Sequence, residues 1–302
     1  MTTNAGSRAS ATTEYARSLI EWFEASARDL PWRAPGFGAW GILVSEFMLQ
    51  QTPVSRVIPR LAEWLERWPT PRHLAEAGAG EAVRAWQSLG YPRRALWLHA
   101  SAVAITERHG GVVPEDPEVL RTLPGVGDYT SRAVSVFAYG HRHPVVDTNT
   151  RRVIARSILG LHDAGPPRAR QDLVDMESLL PESDDDARTF NAAIMELGAV
   201  ICTARRPECD ICPIRQSCAW RAAGFPETDG PRKVVQKKFE GSDRQVRGRI
   251  LGLLRRIDDA GGVDIGAVDA VWPDSVQLER ALGGLVRDGL VVRTPDGIAL
   301  PS

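Results

Sequence analysis

Four cysteines lie close together between residues 200 and 220, and the chain contains no others. Their spacing is C-x6-C-x2-C-x5-C, at Cys202, Cys209, Cys212 and Cys218. Thiolates this close in sequence are typical of a shared metal site. Structural zinc usually takes two tight pairs of ligands, and only one tight pair is present here. A 4Fe–4S cluster spreads its ligands over a larger polyhedron, so the spacing favours a cluster over zinc or unliganded thiols.

A glycine-containing turn separates two helical patterns in the middle of the chain. It consists of Leu123, Pro124, Gly125, Val126 and Gly127. Glycine permits positive φ, and backbone N–H groups exposed at the start of the following helix form an anion site that suits a DNA phosphate. A plain turn between helices has the same pattern, so both interpretations stand at this point.

Asp147 precedes another helical pattern, Thr148–Leu159. An aspartate at this position commonly caps the helix through a hydrogen bond to a backbone N–H group. The helix dipole also favours the ionised carboxylate, which would stabilise a positive charge that develops on a sugar carbon. The two roles are compatible, so Asp147 is a candidate catalytic residue as well as a cap.

Glu46 lies in an otherwise apolar helical pattern, with Gly41–Val44 before it and Phe47–Leu49 after it. Such a residue can be a structural acid that is satisfied by its neighbours or exposed on the helix. Burial, however, raises the pKa of a glutamate, and a carboxyl group that stays protonated at neutral pH is a general acid. Glu46 is therefore the second candidate catalytic residue.

Helices must position these groups. From residue 14 to about 220, apolar residues recur at three- and four-residue spacing with Pro and Gly between the segments, and no strand is predicted. The clearest predicted helices are Glu14–Ala27, Ala39–Gln51, Val54–Trp68, Gly80–Leu89, Arg93–His109, Tyr129–Tyr139, Thr148–Leu159 and Ala187–Cys202. Residues 1–13 are expected to form a disordered tail, and residues 221–243, rich in Pro, Gly and charge, a linker.

The last part of the chain has a different pattern. A helix from Asp243 is followed by a Gly-rich turn, a second helix over Ser275–Arg287, and a short hairpin around the turn at residues 294–297. Helices followed by a hairpin predict a small winged-helix-like module over residues 244–302.

The charge of the chain is unevenly distributed. The formal net charge is −1, which taken alone argues against a nucleic-acid partner. Residues 232–256, however, hold nine basic residues and two acidic ones, a stripe that suits either phosphates or a solvated linker. Residues 1–13 lack the features of a signal or transit peptide, and no apolar run reaches membrane-spanning length, so a cytoplasmic protein without a membrane partner is predicted.

The cysteine spacing, the LPGVG turn and the segment Val146–Asn149 together resemble the helix-hairpin-helix base-excision DNA glycosylases of the endonuclease III superfamily, over about residues 14–220. The resemblance implies an all-α fold of two lobes with a 4Fe–4S cluster loop. The six-helix lobe would span about residues 37–145, and the iron–sulfur lobe residues 14–36 with 146–220. It also implies a monomer that binds double-stranded DNA, with other repair proteins as possible partners.

Residues Ser45–Thr52 resemble the adenine glycosylase (MutY-type) motif within this superfamily. This resemblance implies that Glu46 protonates an adenine mispaired with 8-oxoguanine or guanine, while Asp147, supported by Asn149, stabilises the sugar cation. The three lysines lie at positions 233, 237 and 238, and Tyr129 occupies the position at which endonuclease III has its lysine. Strand cleavage through a Schiff base needs such an amine, so a monofunctional glycosylase is predicted.

The resemblance also assigns contacts with the DNA bases. Leu30 and Trp32 would line the base pocket with Tyr129, and Gln50, Gln51 and Tyr91 would enter the base stack. Many adenine glycosylases continue into a Nudix-like domain that recognises 8-oxoguanine, and residues 244–302 are too short and too helical for one. These residues are expected either to grip DNA or to dock on the catalytic domain.

Two other functions compete with this interpretation. A mismatch glycosylase that removes thymine or uracil opposite guanine would share the fold and the cluster, and Glu46 is the residue that discriminates against it. A non-catalytic iron–sulfur protein that binds DNA or senses redox state would need neither carboxylate. The presence of both Glu46 and Asp147 in the expected contexts argues against that alternative.

Overall fold

The computed structural model describes residues 3–227, 238–257 and 262–302, with side chains from residue 12 onward. Its helices are α1 (Thr3–Ser26), α2 (Gly38–Leu49), α3 (Val54–Arg67), α4 (Pro71–Glu76), α5 (Ala79–Trp86), α6 (Arg93–Arg108), α7 (Pro117–Leu120), α8 (Asp128–Tyr139), α9 (Thr148–Ser157), α10 (Ala169–Glu177), α11 (Asp184–Val200), α12 (Ala219–Ala222), α13 (Asp243–Leu254), α14 (Ile265–Asp269) and α15 (Ser275–Arg287). Short 3-10 turns lie at Pro31–Arg33, Gln87–Leu89 and Cys209–Ile211, and the strands are β1 (Val263–Asp264), β2 (Val292–Thr294) and β3 (Gly297–Ala299). None of the helices in the described ranges is long and apolar enough to span a membrane.

The structure differs from the predicted elements at the amino terminus. Helix α1 begins at Thr3, so it covers most of the segment 1–13 that was expected to be a disordered tail. No proline precedes Pro31, and the alanines in this segment favour a helix that continues the apolar pattern after Glu14. The short helices α4, α7 and α10 were not among the predicted ones. The first two begin with a capping residue followed by proline, Thr70-Pro71 and Asp116-Pro117, which is a local start signal.

The chain divides into two compact units. The first unit comprises Met1–Arg33 and Asp128–Arg232, and the second comprises Ala34–Gly127 and Lys233–Ser302. The boundary after Gly127 differs from the one expected near residue 145, because α8 packs within the first unit. Ala133 and Val136 of α8 form a buried cluster with Val145, and Met195 of α11 packs against it. Part of the predicted linker, residues 228–237, lies outside the described residues.

The core of the first unit lies between α1, α9 and α11. Leu19, Val153, Phe190 and Leu197 are fully buried there. The hydroxyl groups of Tyr15 and Ser157 are 2.8 Å apart within this core.

The core of the second unit forms around α2. Every residue from Trp40 to Met48 is buried, so this helix is surrounded by protein on all sides. Trp64 of α3 contacts Trp86 of α5 edge to face, with ring centroids 5.6 Å apart. A fully buried helix is apolar around its whole circumference, which explains why the pattern of α2 has no polar face.

Residues 243–257 and 262–302 form a module within the second unit. Helices α13 and α15 and the hairpin β2–β3 were predicted from sequence, whereas β1 and α14 occupy a segment expected to be a turn. The sheet is antiparallel with the order β1-β3-β2. A Cβ atom at Gly297 would overlap the carbonyl oxygen of Val263, so glycine lets β1 approach β3.

Candidate active site and cluster loop

Glu46 lies in the middle of α2 and is 8% exposed. Val44 and Phe47, its neighbours in the helix, are fully buried. The carboxyl group of Glu46 is thus largely removed from water within a mostly apolar helix.

The glycine turn at residues 123–127 is fixed to the second unit. Gly125 has φ +75°, and a Cβ atom there would lie 2.7 Å from Cβ of Trp97, so no larger residue fits. Ser101 Oγ donates a hydrogen bond to the Pro124 carbonyl at 2.6 Å. Leu123 is buried, whereas Gly127 is exposed immediately before α8 begins. An exposed backbone at the start of a helix is the arrangement expected for an anion site.

Two loops carry the residues predicted to enter the base stack, and one buried arginine joins them. Nη1 of Arg94 donates hydrogen bonds to the carbonyl oxygens of Phe47 at 2.8 Å and Gln50 at 2.6 Å, and its Nη2 donates to that of Gly90 at 3.0 Å. Burial lowers the pKa of Arg94 to about 10. Tyr91, beside Gly90, remains 51% exposed. Arg94 therefore positions both loops, a role that its place in an amphipathic helix did not reveal.

The segment that carries Leu30 and Trp32 is held by a buried glutamate. Leu30 is 5% exposed and Trp32 is half-buried. Arg28 Nε and Arg33 Nη2 lie 2.6 and 2.9 Å from the carboxylate oxygens of Glu196, which belongs to α11. Burial alone would raise the pKa of Glu196, but hydrogen bonds from the two arginines lower it to about 2. No local sequence pattern marks this clamp, because Arg28 and Glu196 are 168 positions apart.

Asp147 caps the amino terminus of α9. Its Oδ1 accepts a hydrogen bond from the backbone N–H of Thr150 at 2.7 Å, and its Oδ2 accepts one from Asn149 Nδ2 at 2.9 Å. Both carboxylate oxygens are therefore oriented by neighbouring residues. The contact with Asn149 is the one that the resemblance implied. Tyr129, in α8, is half-buried and packs against the cluster around Val136.

A hydrogen-bonded chain leads from Asp147 to the cysteine loop. Arg152 Nη2 donates to Asn149 Oδ1 at 2.8 Å and to the Gly198 carbonyl at 2.6 Å, and Arg152 Nε donates to the Cys202 carbonyl at 2.8 Å. Burial lowers the pKa of Arg152. A Cβ atom at Gly198 would lie 2.7 Å from Cβ of Asn149, so glycine is required for this close packing. Neither Arg152 nor Gly198 was singled out from the sequence.

The four cysteines are partly buried and line one small cavity in the first unit. Arg156 Nη1 lies 3.5 Å from Cys202 Sγ and donates to the Thr203 carbonyl at 2.8 Å. Within the described ranges, no three cysteine, histidine or acidic side chains converge as the ligands of a single metal ion would. Four thiols around one cavity fit a cluster of several iron atoms better than one zinc ion.

Comparisons with known proteins agree with this geometry. Residues 44–175 match the family described as HhH-GPD superfamily base excision DNA repair protein, and residues 202–218 match the iron-sulfur binding domain of endonuclease III. The adenine DNA glycosylase of Mycolicibacterium smegmatis is 53% identical over 280 residues, which cover 92% of this chain and 93% of that protein. The human adenine DNA glycosylase is 38% identical over 69% of this chain and 40% of its own length.

Thymine and thymine/uracil DNA glycosylases are less similar to this chain than the adenine DNA glycosylase of Mycolicibacterium smegmatis is. The thymine/uracil-DNA glycosylase of Pyrobaculum aerophilum is 34% identical, over 67% of this chain and 89% of that protein. Among solved structures, a thermostable thymine-DNA glycosylase superposes with a TM-score of 0.64 at 26% identity, covering 70% of this chain and 97% of that one.

The cysteine loop binds a 4Fe–4S cluster, and the substrate is DNA. With more than half of its residues identical to such enzymes over nearly their full length, the chain belongs to the adenine DNA glycosylases of the helix-hairpin-helix superfamily.

Proposed function

We propose that this adenine DNA glycosylase is monofunctional and removes adenine mispaired with 8-oxoguanine or guanine, with Glu46 as general acid and Asp147 as the stabilising carboxylate. The observation that carries the proposal is the contrast in their surroundings. Glu46 is 8% exposed in an apolar helix, and Asp147 accepts hydrogen bonds on both oxygens. Two carboxylates with different tasks also divide the work in sugar hydrolases.

The reaction would proceed on an adenine extruded from the duplex. Glu46 donates its proton to N7 of adenine, and the bond from the sugar to the base breaks with its electron pair going to the base. The sugar becomes an oxocarbenium-like cation, which Asp147 stabilises directly or through a transient covalent bond. Water then adds to the sugar carbon and gives up a proton that restores the acid form of Glu46, which leaves an abasic site.

The lysine positions support a monofunctional reaction. Strand cleavage through a Schiff base needs an amine at the sugar, and the lysines lie only at positions 233, 237 and 238. Tyr129, two residues after Gly127, has a phenol in place of an amine. The product strand should therefore remain intact until alkali cleaves the abasic site.

The proposed function also assigns residues to the adenine pocket and to contacts with the DNA phosphates. Leu30, Trp32 and Tyr129 would contact the extruded adenine, and the turn at residues 123–127 would bind a phosphate of the same strand. Cys202, Cys209, Cys212 and Cys218 would hold the cluster, and their bonds to it would fix the conformation of the loop at residues 202–218. Arg205, Arg206 and Arg215 are exposed on this loop and would contact phosphates.

The carboxyl-terminal module is assigned by its topology. The order α13, β1, α14, α15, β2, β3, with β3 in the centre of the sheet, supports a winged-helix-like module over residues 244–302. We infer that the enzyme works as a cytoplasmic monomer, with the glycosylase domain over residues 14–220.

A single-turnover cleavage assay tests the proposed function. The duplexes contain adenine opposite 8-oxoguanine, adenine opposite guanine, thymine opposite guanine, or a normal pair, each with and without alkali treatment. Breaks at adenine that depend on alkali are expected. Breaks without alkali would contradict the monofunctional assignment, and cleavage at thymine would move the substrate to the mismatch class. Tight binding without cleavage would favour a non-catalytic protein.

A further inference from the structure

An open groove runs between the carboxyl-terminal module and the loops that carry Gln50, Gln51 and Tyr91, entirely within the second unit. Its volume is about 1850 Å³. Pockets for small molecules usually measure about 300–1,000 Å³, so this groove is large enough for a polymer. Ten arginines and only two acidic residues line it, although the whole chain has a net charge of −1. Positive charge is therefore concentrated here, and we call this feature the arginine groove.

Reciprocal arginine contacts fix the wall that the module contributes. Arg84 Nη1 donates to the carbonyl oxygens of Leu254 and Arg255 at 3.2 and 3.1 Å, at the end of α13. Arg255 Nε and Nη1 in turn donate to the carbonyl oxygens of Val83 and Gln87 at 3.0 and 2.6 Å. Burial lowers the pKa of Arg255 to about 10. The module is thus docked on α5, and the groove is a built feature of this unit.

Other arginines in the groove are directed at no carboxylate. Arg249 donates to the Val271 carbonyl at 3.4 Å, Arg256 donates to the Gly252 carbonyl at 3.0 Å, and Arg56 on the opposite wall donates to the Ser88 carbonyl. All three are exposed, and within the described residues none of them forms an ion pair. Exposed arginines on two facing walls suit a polyanion with charges on both sides, as the phosphates of DNA present.

Helix α13 also carries two glycines toward the groove, Gly248 and Gly252. A Cβ atom at either position would meet nothing within 4 Å, so packing inside the protein does not require glycine there. Glycine within a helix costs stability relative to alanine. At Gly248 and Gly252 no side chain covers the backbone of α13. A bound partner that approaches this backbone closely would explain why glycine is present despite its lower helix stability.

The opposite wall has strained backbone. Gln51, Gln87 and Tyr91 line the groove with φ values of 55°, 43° and 46°, in the left-handed region that favours glycine. Such conformations persist where the surrounding structure enforces them, often at binding sites. Here they present an exposed tyrosine and two amide side chains beside the arginines.

We propose that the arginine groove binds the sugar–phosphate backbone of duplex DNA next to the mispair, with Arg56 on one wall and Arg249 and Arg256 on the other. The bare face of α13 lets the backbone approach closely. The module is then part of the DNA-binding surface of the enzyme. The placement next to the mispair rests on the proposed function, because it depends on Gln50, Gln51 and Tyr91 entering the base stack.

A charge-removal experiment tests the groove in the full-length protein that holds its cluster. The probe is a 30-base-pair duplex with a stable abasic-site analogue opposite guanine, and Kd is measured across a series of salt concentrations. For Arg249→Gln/Arg256→Gln, we expect Kd to rise about tenfold and the salt slope to fall by about 2, one for each phosphate contact.

The matched control removes two exposed arginines of the same module that do not line the groove, as Arg287→Gln/Arg293→Gln. Its Kd and salt slope should equal those of the wild type. Equal weakening by both pairs, or an unchanged Kd for Arg249→Gln/Arg256→Gln, would overturn the proposal. Because the probe is not cleaved, this result is independent of whether adenine excision is found.

Gly248 and Gly252 allow a second test, which measures protein stability and DNA affinity in the same variant. Stability should stay the same or rise, whereas DNA affinity should fall. Gly248→Ala/Gly252→Ala should leave the unfolding midpoint unchanged or higher, because alanine favours the helix and has room. The same variant should raise Kd for the probe at least fivefold if the DNA backbone approaches α13 closely. Gly283→Ala, in α15 and outside the groove, should give the same stability effect without a change in Kd. Unchanged DNA binding by the α13 variant would contradict the close approach.

Discussion

Asp147 and Glu46 are both carboxylates, but the protein surrounds them differently. Asp147 sits at the start of α9 with one hydrogen bond to each oxygen, whereas Glu46 is 8% exposed in the middle of a fully buried helix. Hydrogen bonds and a helix amino terminus stabilise an ionised carboxylate, while apolar burial favours the neutral acid. The comparison shows one functional group in two opposite surroundings, and the division of tasks proposed for the two carboxylates depends on that difference.

The largest loss of excision activity is expected when Asp147, the proposed ionised carboxylate, is replaced. Asp147→Asn keeps a good capping residue but removes the negative charge, so single-turnover excision of adenine opposite 8-oxoguanine should fall by about 10³-fold or more. Binding to a duplex with an abasic-site analogue should change by less than about threefold. Loss of binding together with excision would show that Asp147 acts as a structural cap, and the contrast with Glu46 would no longer hold.

Replacing Glu46, the proposed general acid, should lower the rate of excision somewhat less than replacing Asp147. Glu46→Gln keeps the shape of the side chain but leaves no proton to donate, so excision at neutral pH should fall by about 10²-fold to 10³-fold. The unfolding midpoint should stay close to that of the wild type, because the amide of glutamine has nearly the same size and shape as the carboxyl group that it replaces. Full activity in this variant would make Glu46 a structural residue.

The hydrogen bond from Arg152 to Asn149 allows a test of how the surroundings of Asp147 contribute to activity. Arg152→Gln should lower excision by about 10-fold to 100-fold, because Asn149 loses the contact that orients it toward Asp147. Iron content and visible absorbance of the cluster report whether the loop remains intact. The matched control is Arg151→Gln at the next position, whose guanidinium pairs with Asp172 and not with Asn149. Equal loss of activity in both variants would contradict a specific role for Arg152.

The smallest effect on the rate of excision is expected when Glu196 is replaced. This change should instead lower the free energy of unfolding. Its folded pKa of about 2 lies below the ordinary 4.5, so its contribution to the free energy of unfolding is present above pH 4.5 and is lost as the pH falls toward 2. Glu196→Gln should lower that free energy by about 3 kcal/mol at pH 7, because two arginines lose a buried partner. Denaturant unfolding at several pH values measures both effects.

The control for this prediction is an exposed ion pair in the other unit. Glu63→Gln breaks the contact with Arg60, and the Glu63 side chain is 55% exposed. Its effect should stay below about 1 kcal/mol, as is usual for surface pairs. A Glu196→Gln variant as stable as this control would show that Leu30 and Trp32 do not depend on the clamp.

The sequence predicted the parts of the site that have local signals. The cysteine spacing, the cap at Asp147 and the limits of α15 are each written within a few neighbouring residues. Strand β1 has two residues and exists through its pairing with β3, so no local pattern announces it.

The residues that support the site could not be predicted for the same physical reason. Arg94 binds the carbonyl oxygen of Phe47 in α2, 47 positions away, and Glu196 binds Arg28 across 168 positions. The docking of the module through Arg84 and Arg255 spans about as much of the chain. Each of these contacts depends on tertiary packing, and an arginine or glutamate in an amphipathic helix is more often a solvated residue.

The most direct test of the central claim, that the two carboxylates act in opposite protonation states, is the pH dependence of single-turnover adenine excision. For the wild type we expect excision to fall at high pH, as the proposed general acid Glu46 loses its proton. In Glu46→Gln this fall at high pH should disappear. A variant profile that keeps the same decline at high pH would show that another group supplies the proton and would contradict the account.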